Sequence, residues 1–330
     1  MSAKPLRILV SSKTLDAVGA DIGRVLGDLP FELLASESAG SAPDADIAFV
    51  TRDVIGKSAR NMVHESTQRF FDQMRDSPGL KWLQLNAAGA DRPVYLELRK
   101  RGVTVTTASG ANANVVAQTA LAGFLAIARR LPDLMAAQRE RQWKPLFNTG
   151  LPRDLQGQTA VVVGWGPIGR QLGAMLKAVG LAVIVVRNSD APAGEGFATA
   201  TFESIHAVLP KGDWVFLACQ LTEKTRGLMN ARAFAAMPRG AHLVNVARGE
   251  IVVEPDLVEA LRSGQLGGAY LDVFAHEPLD PASALWGFEN VIVTPHSAGQ
   301  SDGIYARVGE IFLENLGLWI AGKPLRNRVP

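Results

Sequence analysis

The chain has 330 residues, which at roughly 150 residues per domain is room for about two domains. Hydrophobic residues make up 47% and charged residues 20% of it, an ordinary globular composition that excludes a disordered, collagenous or coiled-coil protein. With 34 Lys and Arg against 32 Asp and Glu, the net charge is only +2. No large positive field is available to hold a polyphosphate backbone, so we do not expect nucleic acid as a partner.

The single cysteine, Cys219, cannot form an internal disulfide, which favours a reducing compartment. The first apolar run is too short for the core of a signal peptide. The longest mostly apolar stretch, 115–128, contains Gln118 and Thr119 and is shorter than the ~20 residues that a membrane span needs. The five histidines are scattered and show no metal-ligand spacing. We therefore expect a cytoplasmic protein without a membrane span or metal site.

Short β-branched runs alternate with helix-like segments along the first hundred residues, which is the pattern of βα units around a parallel sheet. The predicted elements are a helix at 15–26 and strands at 7–10, 31–34, 46–50, 82–85 and 103–106. A small, polar stretch at 108–112 then marks a break before a long apolar helix that runs to about Leu131.

A second series of strands follows, predicted at 159–163, 182–186, 213–217, 242–245 and 291–293, with one more that ends at Leu271. An amphipathic helix at 302–320 closes the chain before a short tail. The two series predict two parallel-sheet domains.

The glycine-rich turn at 164–169 follows the apolar run 159–163 directly, and this context makes it a strong dinucleotide-binding motif. Gly164 permits the tight turn, Gly166 lets a pyrophosphate approach the backbone, and Gly169 lets the helix pack against its strand. The helix that begins near Pro167 and Ile168 offers free N–H groups to an anion. We expect these five residues to contact the cofactor.

The next strand ends in Arg187, where a dinucleotide fold usually carries a carboxylate that binds the adenosine ribose. A guanidinium instead pairs with a 2′-phosphate, and the hydroxyl of Ser189 can add a hydrogen bond. The sequence therefore predicts NADPH as the preferred cofactor, with NAD as a possible second one. In the alternative, Arg187 is merely exposed at a strand end and Asp190 binds the ribose.

Polar side chains stand just after three further apolar runs, namely Arg248, then Asp272 with Glu277, and finally His296. The carboxyl edge of an open parallel sheet is where ligands bind, so we expect these side chains to meet there. His276, next to Glu277, is interpreted as a surface residue.

The motifs together resemble the D-isomer-specific 2-hydroxyacid dehydrogenases over nearly the whole chain. The resemblance is carried by the turn at 164–169, Asn-Val-Ala-Arg-Gly at 245–249, Leu-Asp-Val at 271–273 with Glu-Pro at 277–278, and Thr-Pro-His at 294–296. Two positions depart from the family pattern, Gln118 where many members carry Glu and Gln220 where Pro is common. Arg187 is typical of the NADPH-using keto-acid reductases within the family.

The resemblance implies a role for each of the polar residues. His296 would give a proton to the carbonyl oxygen of the substrate, and Glu277 would favour the charged imidazolium and fix its orientation. Arg248 would bind the substrate carboxylate and polarise the 2-oxo group. Asp272 would lie by the nicotinamide.

Further contacts are expected from the resemblance. Backbone amides of Ala88 and Gly89 would give the substrate carboxylate a second anchor, because tiny side chains there allow close approach. The further cofactor contacts would be Asn188, Ser189, Cys219, Gln220, Thr225, Val246, Ala247 and Arg248. For Cys219 we expect packing beside the cofactor and no nucleophilic role.

The implied fold is α/β, with two Rossmann-like doubly wound parallel-sheet domains and a cleft between them. The cofactor domain would span 108–298, and the substrate domain would combine 1–107 with the returning segment 299–330. The long helix from Asn112 carries more apolar surface than one domain should need, so a homodimer is expected, as the family also implies.

The implied activity is NADPH-dependent reduction of a small 2-oxo acid, such as glyoxylate or hydroxypyruvate, to the D-2-hydroxy acid. Three alternatives stay open. The fold also serves as a cofactor-sensing corepressor, and the family includes phosphoglycerate and other NAD-dependent dehydrogenases. A formate dehydrogenase is disfavoured, because its acid/base partner is a glutamine and Glu277 is acidic.

Overall fold

The computed structural model describes residues 4–40, 42–56, 63–148 and 150–329. They form two compact units. Unit 1 consists of Met1–Asn112 with Ser301–Pro330, and unit 2 is Ala113–Gln300. Each unit has its own sheet and core, and no helix in the described ranges is long and apolar enough to cross a membrane.

Unit 1 is built on a parallel sheet of five strands in the order β2-β1-β3-β4-β5. The strands are β1 (Leu6–Val10), β2 (Phe31–Ala35), β3 (Ile47–Val50), β4 (Trp82–Leu85) and β5 (Thr104–Thr106). The helices that precede the chain's passage to unit 2 are α1 (Ser12–Leu26), α2 (Arg52–Ile55), α3 (Glu65–Arg75) and α4 (Pro93–Lys100). Helix α1 begins three residues earlier than predicted, because the Ser11 side chain accepts a hydrogen bond from the Thr14 amide and caps it.

Unit 2 is built on a parallel sheet of seven strands in the order β12-β11-β10-β9-β6-β7-β8. These strands are β6 (Thr159–Val163), β7 (Ala182–Arg187), β8 (Ala198–Thr201), β9 (Trp214–Leu217), β10 (Ala241–Asn245), β11 (Leu266–Leu271) and β12 (Val291–Val293). Its helices are α5 (Ala113–Ala128), α6 (Leu131–Arg139), α7 (Pro167–Ala178), α8 (Ile205–Val208), α9 (Ala231–Ala236) and α10 (Glu254–Arg262). Five short 3-10 turns complete this part of the described chain, at Leu146–Asn148, Phe202–Ser204, Leu209–Lys211, Gly249–Ile251 and Ala284–Gly287.

Both sheets are covered by helices on their two faces, which is why the strands are apolar without alternation. In unit 2, Val161 and Val163 of β6 belong to one buried cluster, whereas Val162 belongs to the cluster that contains Phe124 of α5 and Leu172 of α7. The predicted fold class, two doubly wound parallel-sheet α/β domains, is confirmed.

The long apolar helix predicted to reach Leu131 is two helices. Helix α5 ends at Ala128, and Arg130 adopts a left-handed φ of 55° before α6 begins. Pro132 lies in the first turn of α6, where its missing N–H is harmless, but it could not continue a helix from α5. The edge strand β8 was not predicted, because its Ala and Thr residues are partly exposed and make no apolar run.

The chain returns to unit 1 through α11 (Ile304–Ile320), whose Phe312 ring stacks on Phe49 of β3 with 4.2 Å between centroids. The tail beyond α11 forms an antiparallel bridge between Arg328 and Thr106 at the edge of β5. The fully buried Asn315 side chain accepts a hydrogen bond from the Arg326 amide at 2.8 Å and donates one to the side chain of Gln84 at 3.0 Å. Asn315 thus ties the tail to the core of unit 1.

Candidate active site

The strand order of unit 2 reverses between β6 and β9, and ligands bind at such a switch point at the carboxyl ends of the strands. Gly164 directly follows β6 with a φ of 105°, and a Cβ there would lie 2.6 Å from the backbone of Cys219, which follows β9. Only glycine allows this conformation and this approach. The turn at Gly164 therefore brings the two strand ends together at the switch point.

A cavity of about 660 Å³ opens at this edge of unit 2. Eight of the predicted cofactor residues line it: Gly164, Gly166, Arg187, Asn188, Ser189, Cys219, Gln220 and Thr225. The other predicted contacts are all in the described part of the chain but are not among its lining residues: Pro167, Ile168, Gly169, Val246, Ala247, Arg248 and Asp272. Lys224 also lines the cavity and was not predicted as a cofactor contact. The sequence signal that could have identified it is a basic side chain in the loop after β9.

The cavity fits a dinucleotide. Gly166 caps α7 with no side-chain hydrogen bond, and the space in which its Cβ would stand is open. The N–H groups in the first turn of this 12-residue helix lack helical partners and suit a pyrophosphate. Arg187 is half-buried at the end of β7, and its guanidinium contacts the carbonyl oxygen of Ala191 at 3.5 Å. An anion-binding helix end and a cation thus share one cavity wall.

Thr225 and Cys219 line the cavity without offering a free charge or a reactive group. The Thr225 hydroxyl donates to the Gln220 carbonyl oxygen at 2.7 Å and accepts from the Thr222 amide at 2.8 Å, so it shapes the loop after β9. Burial raises the pKa of the Cys219 thiol to about 12. The thiol therefore stays protonated, as expected of a packing residue and not of a nucleophile.

Arg248 follows β10, and its backbone is held by the buried Asn245. The Asn245 side chain donates to the Arg248 carbonyl oxygen at 3.1 Å and accepts from the Ala247 amide at 3.1 Å. A Cβ at Gly249 would lie 1.9 Å from the backbone of Phe274, so only glycine lets this segment lie against the loop after β11. The Arg248 charge lies close enough to that loop to lower the pKa of Glu277.

Glu277 and His296 form a hydrogen-bonded pair, with 2.8 Å between Glu277 Oε2 and His296 Nδ1. The other carboxylate oxygen accepts from the Phe274 amide at 3.1 Å. Burial alone would raise the pKa of Glu277, but the hydrogen bond and charge of His296 outweigh it and the pKa lies below its usual value. A carboxylate at Nδ1 fixes the ring, and it leaves Nε2 as the nitrogen that can exchange a proton with a substrate.

The loop that carries His296 is held by the carboxylate of Asp272, which is 2% exposed. Its Oδ1 accepts from the Thr294 hydroxyl at 2.6 Å and from the Ser297 amide at 2.8 Å, and its Oδ2 accepts from the Ala298 amide at 2.9 Å. His296 itself has a φ of 52°, which non-glycine residues adopt only when their surroundings impose it. The Asp272 side chain thus holds this loop, and its predicted place beside the nicotinamide stays a prediction.

Two residues that support the same loop were not found from the sequence. The Tyr270 hydroxyl lies 2.9 Å from the Thr294 hydroxyl, and the Thr119 hydroxyl of α5 donates to the Ala298 carbonyl oxygen at 3.0 Å. Neither belongs to a motif, and only the packing of α5 on β11 brings them to this loop. Asp272, Tyr270 and Thr119 thus all hold the loop that carries His296.

The remaining predicted positions were Ala88 and Gly89, with His276 as a surface residue. Ala88 is exposed and Gly89 partly exposed in unit 1, just past the carboxyl end of β4. His276 is exposed, as expected. Over the residues that the structure describes, no group of three or more His, Cys, Asp or Glu side chains could hold a metal ion.

The chain is similar to known proteins in both sequence and fold. The family model described as D-isomer specific 2-hydroxyacid dehydrogenase, NAD binding domain, matches residues 121–298. The glyoxylate reductase of Korarchaeum cryptofilum is 33% identical over 247 residues, which are 73% of this chain and 73% of that protein.

Two solved structures extend the similarity over the whole chain. A D-isomer specific 2-hydroxyacid dehydrogenase from Xanthobacter autotrophicus Py2, in complex with NADPH and MES, has a TM-score of 0.77 at 29% identity and covers 99% of this chain and 98% of its own. An NADPH-dependent glyoxylate/hydroxypyruvate reductase from Sinorhizobium meliloti, in complex with NADP and sulfate, has a TM-score of 0.76 at 26% identity, with coverage of 99% and 98%.

The family match spans more than half of the chain and falls within unit 2, where the dinucleotide-type cavity lies. The family predicted from the sequence motifs is confirmed, and with it the assignment as an enzyme. The chain belongs to the D-isomer specific 2-hydroxyacid dehydrogenase family and is an oxidoreductase whose second unit carries the nicotinamide-cofactor-binding domain.

Proposed function

We propose that this protein reduces a small 2-oxo acid, of the glyoxylate or hydroxypyruvate type, to the D-2-hydroxy acid with NADPH. The observation that carries the proposal is the pair of His296 and Glu277, 2.8 Å apart, in a loop that Asp272 fixes. The names of the Korarchaeum and Sinorhizobium proteins support this substrate class.

A reduced nicotinamide bound in the cavity of unit 2 would supply the hydride that the carbonyl carbon accepts in the proposed reaction. His296 gives the proton on Nε2 to the carbonyl oxygen, and the Glu277 carboxylate stabilises the imidazolium before that step. Because the pKa of Glu277 is lowered, this carboxylate stays charged at neutral pH. The exposed fraction of the His296 side chain, 50%, leaves the ring accessible.

Arg248 binds the substrate carboxylate and stabilises the negative charge that develops on the carbonyl oxygen. The side chain of Asn245 and the close approach at Gly249 hold its backbone for this purpose. Asp272 acts on the proton donor by fixing the loop of His296. The role of Ala88 and Gly89 as a second carboxylate anchor stays a prediction.

NADPH preference is proposed because Arg187 stands at the end of β7, where a carboxylate would repel a 2′-phosphate, and lines the same cavity as Gly166. Ser189 and Asn188 add a hydroxyl and an amide beside it. The alternative, ribose binding by Asp190, predicts equal or better use of NADH.

The cofactor preference is tested with Arg187→Gln. We expect KM for NADPH to rise about tenfold or more and KM for NADH to change little, because a guanidinium–phosphate pair is lost. Arg262→Gln on α10 is the matched control, since this arginine is exposed and does not line the cavity. Wild-type protein that uses NADH as well as NADPH contradicts the preference.

The activity is tested with a panel of 2-oxo acids, including glyoxylate and hydroxypyruvate, by the loss of NADPH absorbance. Turnover of at least one small 2-oxo acid is expected, with a D-configured product where the product is chiral. If none turns over and a partner-binding function survives His296→Ala, the corepressor alternative replaces the enzyme proposal.

We also propose a homodimer, but not through the long apolar helix from which the sequence analysis expected it. Helix α5 buries much of its apolar face against α7, β10 and β11, so it is not the main unpartnered surface. The exposed apolar side chains lie further on, with Trp143 96%, Phe147 72% and Leu151 74% exposed. A second copy that covers these three side chains removes them from water. Sedimentation of Trp143→Ser/Phe147→Ser is expected to show monomers where the wild type shows dimers, and a monomeric wild type refutes the proposal.

We further propose unit 2, Ala113–Gln300, as the cofactor domain, for which the sequence predicts the range 108–298. Unit 1 is proposed as the substrate domain, from 1–107 and 299–330. A cytoplasmic location is proposed from the single cysteine, which leaves no internal disulfide to form.

A further inference from the structure

A second cationic side chain, Lys224, lines the same cavity as Arg187. It lies in the loop after β9, and its Nζ donates to Glu203 Oε1 at 2.9 Å and contacts Asn188 Oδ1 at 3.5 Å. Asn188 is the neighbour of Arg187 in the chain. The ammonium group therefore reaches the end of the cavity where the 2′-phosphate is proposed to bind.

Strand pairing explains why these residues meet. Arg187, the last residue of β7, is the register partner of Thr201, the last residue of β8. Glu203 follows Thr201 by two residues in the turn Phe202–Ser204, so the ends of both strands and the loop after β9 converge. Glu203 and the lining residue Glu223 offset the charges of Arg187 and Lys224, so the formal charges of these four side chains sum to zero. A phosphate dianion requires a net positive charge.

We propose that Lys224 is a second residue that determines selectivity for the 2′-phosphate of NADPH, and that Glu203 competes with the phosphate for it. This inference rests on the NADPH preference proposed above. The Lys224 ammonium has three donors, so it can bind a phosphate oxygen while it stays near Asn188. Glu203 holds the ammonium when no phosphate is present and repels the phosphate when it binds.

The exchange of partners costs little. The side chains of Lys224 and Glu203 are 60% and 61% exposed, and ion pairs as exposed as this contribute little to stability. The Lys224 ammonium can make a charge-assisted hydrogen bond to either group, and a phosphate carries a larger negative charge than the Glu203 carboxylate. The balance therefore favours the phosphate, and removal of the Glu203 charge favours it further.

The test measures binding of two probes by calorimetry, adenosine 2′,5′-bisphosphate and 5′-AMP, which differ only in the 2′-phosphate. We expect Lys224→Met to lower the preference for the bisphosphate over 5′-AMP about fivefold. Lys211→Met is the matched control, because this exposed lysine precedes β9 and does not line the cavity. Glu203→Gln is expected to raise the preference about twofold, and to lose that effect in the double variant with Lys224→Met.

The outcomes separate this inference from the proposed function. If the wild type does not prefer the bisphosphate, the NADPH preference fails and this inference fails with it. If the wild type prefers the bisphosphate and Arg187→Gln removes the preference while Lys224→Met leaves it within the range of Lys211→Met, the inference alone is overturned. A preference that falls in both Arg187→Gln and Lys224→Met supports both.

Discussion

The partly buried histidine of β10, His242, makes the stability of unit 2 depend on pH. Its ring stacks on Trp214 with 4.2 Å between centroids and an interplanar angle of 14°. Burial, together with the charge of Arg153, lowers the pKa of His242 from 6.5 to about 4. The side chain is therefore neutral in the folded protein at neutral pH.

The pKa shift sets both the direction and the size of the effect. Below pH 6.5 the unfolded chain binds a proton at His242 that the folded chain accepts only near pH 4, so the free energy of unfolding falls as the pH falls through this window. One pKa unit corresponds to about 1.4 kcal/mol, and the loss from His242 alone between pH 7 and pH 5 is about 2 kcal/mol. The stability that depends on a neutral His242 is retained above pH 6.5 and is lost as the pH falls toward 4.

The assay is urea unfolding of the wild type and His242→Asn over this pH range. Asn removes the titration without adding bulk, which matters because the ring lies about 3 Å from the space a Cβ at Gly267 would fill. We expect the free energy of the wild type to drop by about 2 kcal/mol more than that of the variant. His276→Asn, at an exposed position, should follow the wild type. Equal pH slopes for wild type and His242→Asn, or an NMR titration of His242 near 6.5, refute the reasoning.

Three further substitutions test the site and the tail. Tyr270→Phe removes the hydroxyl that contacts Thr294, and we expect kcat to fall about threefold with KM for NADPH unchanged, since only the loop of His296 loosens. Glu277→Gln cannot stabilise the imidazolium, so the alkaline limb of the pH–rate profile for 2-oxo acid reduction should shift to lower pH; an unmoved limb contradicts the role of Glu277. Asn315→Ala leaves buried polar groups of unit 1 unpaired and should cost about 2 kcal/mol, seen as lost hydrogen-exchange protection in the tail at the Val329 amide.

The sequence predicted those strands and turns that are determined by residues close together in the chain. The strands Trp82–Leu85, Thr159–Val163 and Val291–Val293 lie where their mostly apolar runs predict. The glycine turn after β6 was found because a turn residue, an apolar strand and a helix start coincide within a few positions. The edge strand β8 and the division between α5 and α6 depend on pairing and on one proline, which periodicity does not register.

In the candidate site, too, the sequence predicted the residues that belong to motifs but not the contacts that depend on the three-dimensional fold. The pair of His296 and Glu277 could be predicted because both residues belong to recurrent motifs at strand ends. The loop contacts of Asp272 and the hydroxyl of Tyr270 depend on where the loop after β12 lies in three dimensions, and no spacing in the sequence encodes that position. Lys224 likewise reaches Asn188, the chain neighbour of Arg187, only because β7, β8 and β9 end at one edge.

The central claim is that His296 donates the proton during reduction of a 2-oxo acid. The most direct measurement compares hydroxypyruvate reduction with NADPH in the wild type, His296→Asn and His276→Asn. We predict that kcat falls about 100-fold or more in His296→Asn and stays near the wild-type value in His276→Asn, because only the first change removes the positioned acid. Activity of His296→Asn within a few-fold of wild type, with NADPH binding intact, contradicts the account.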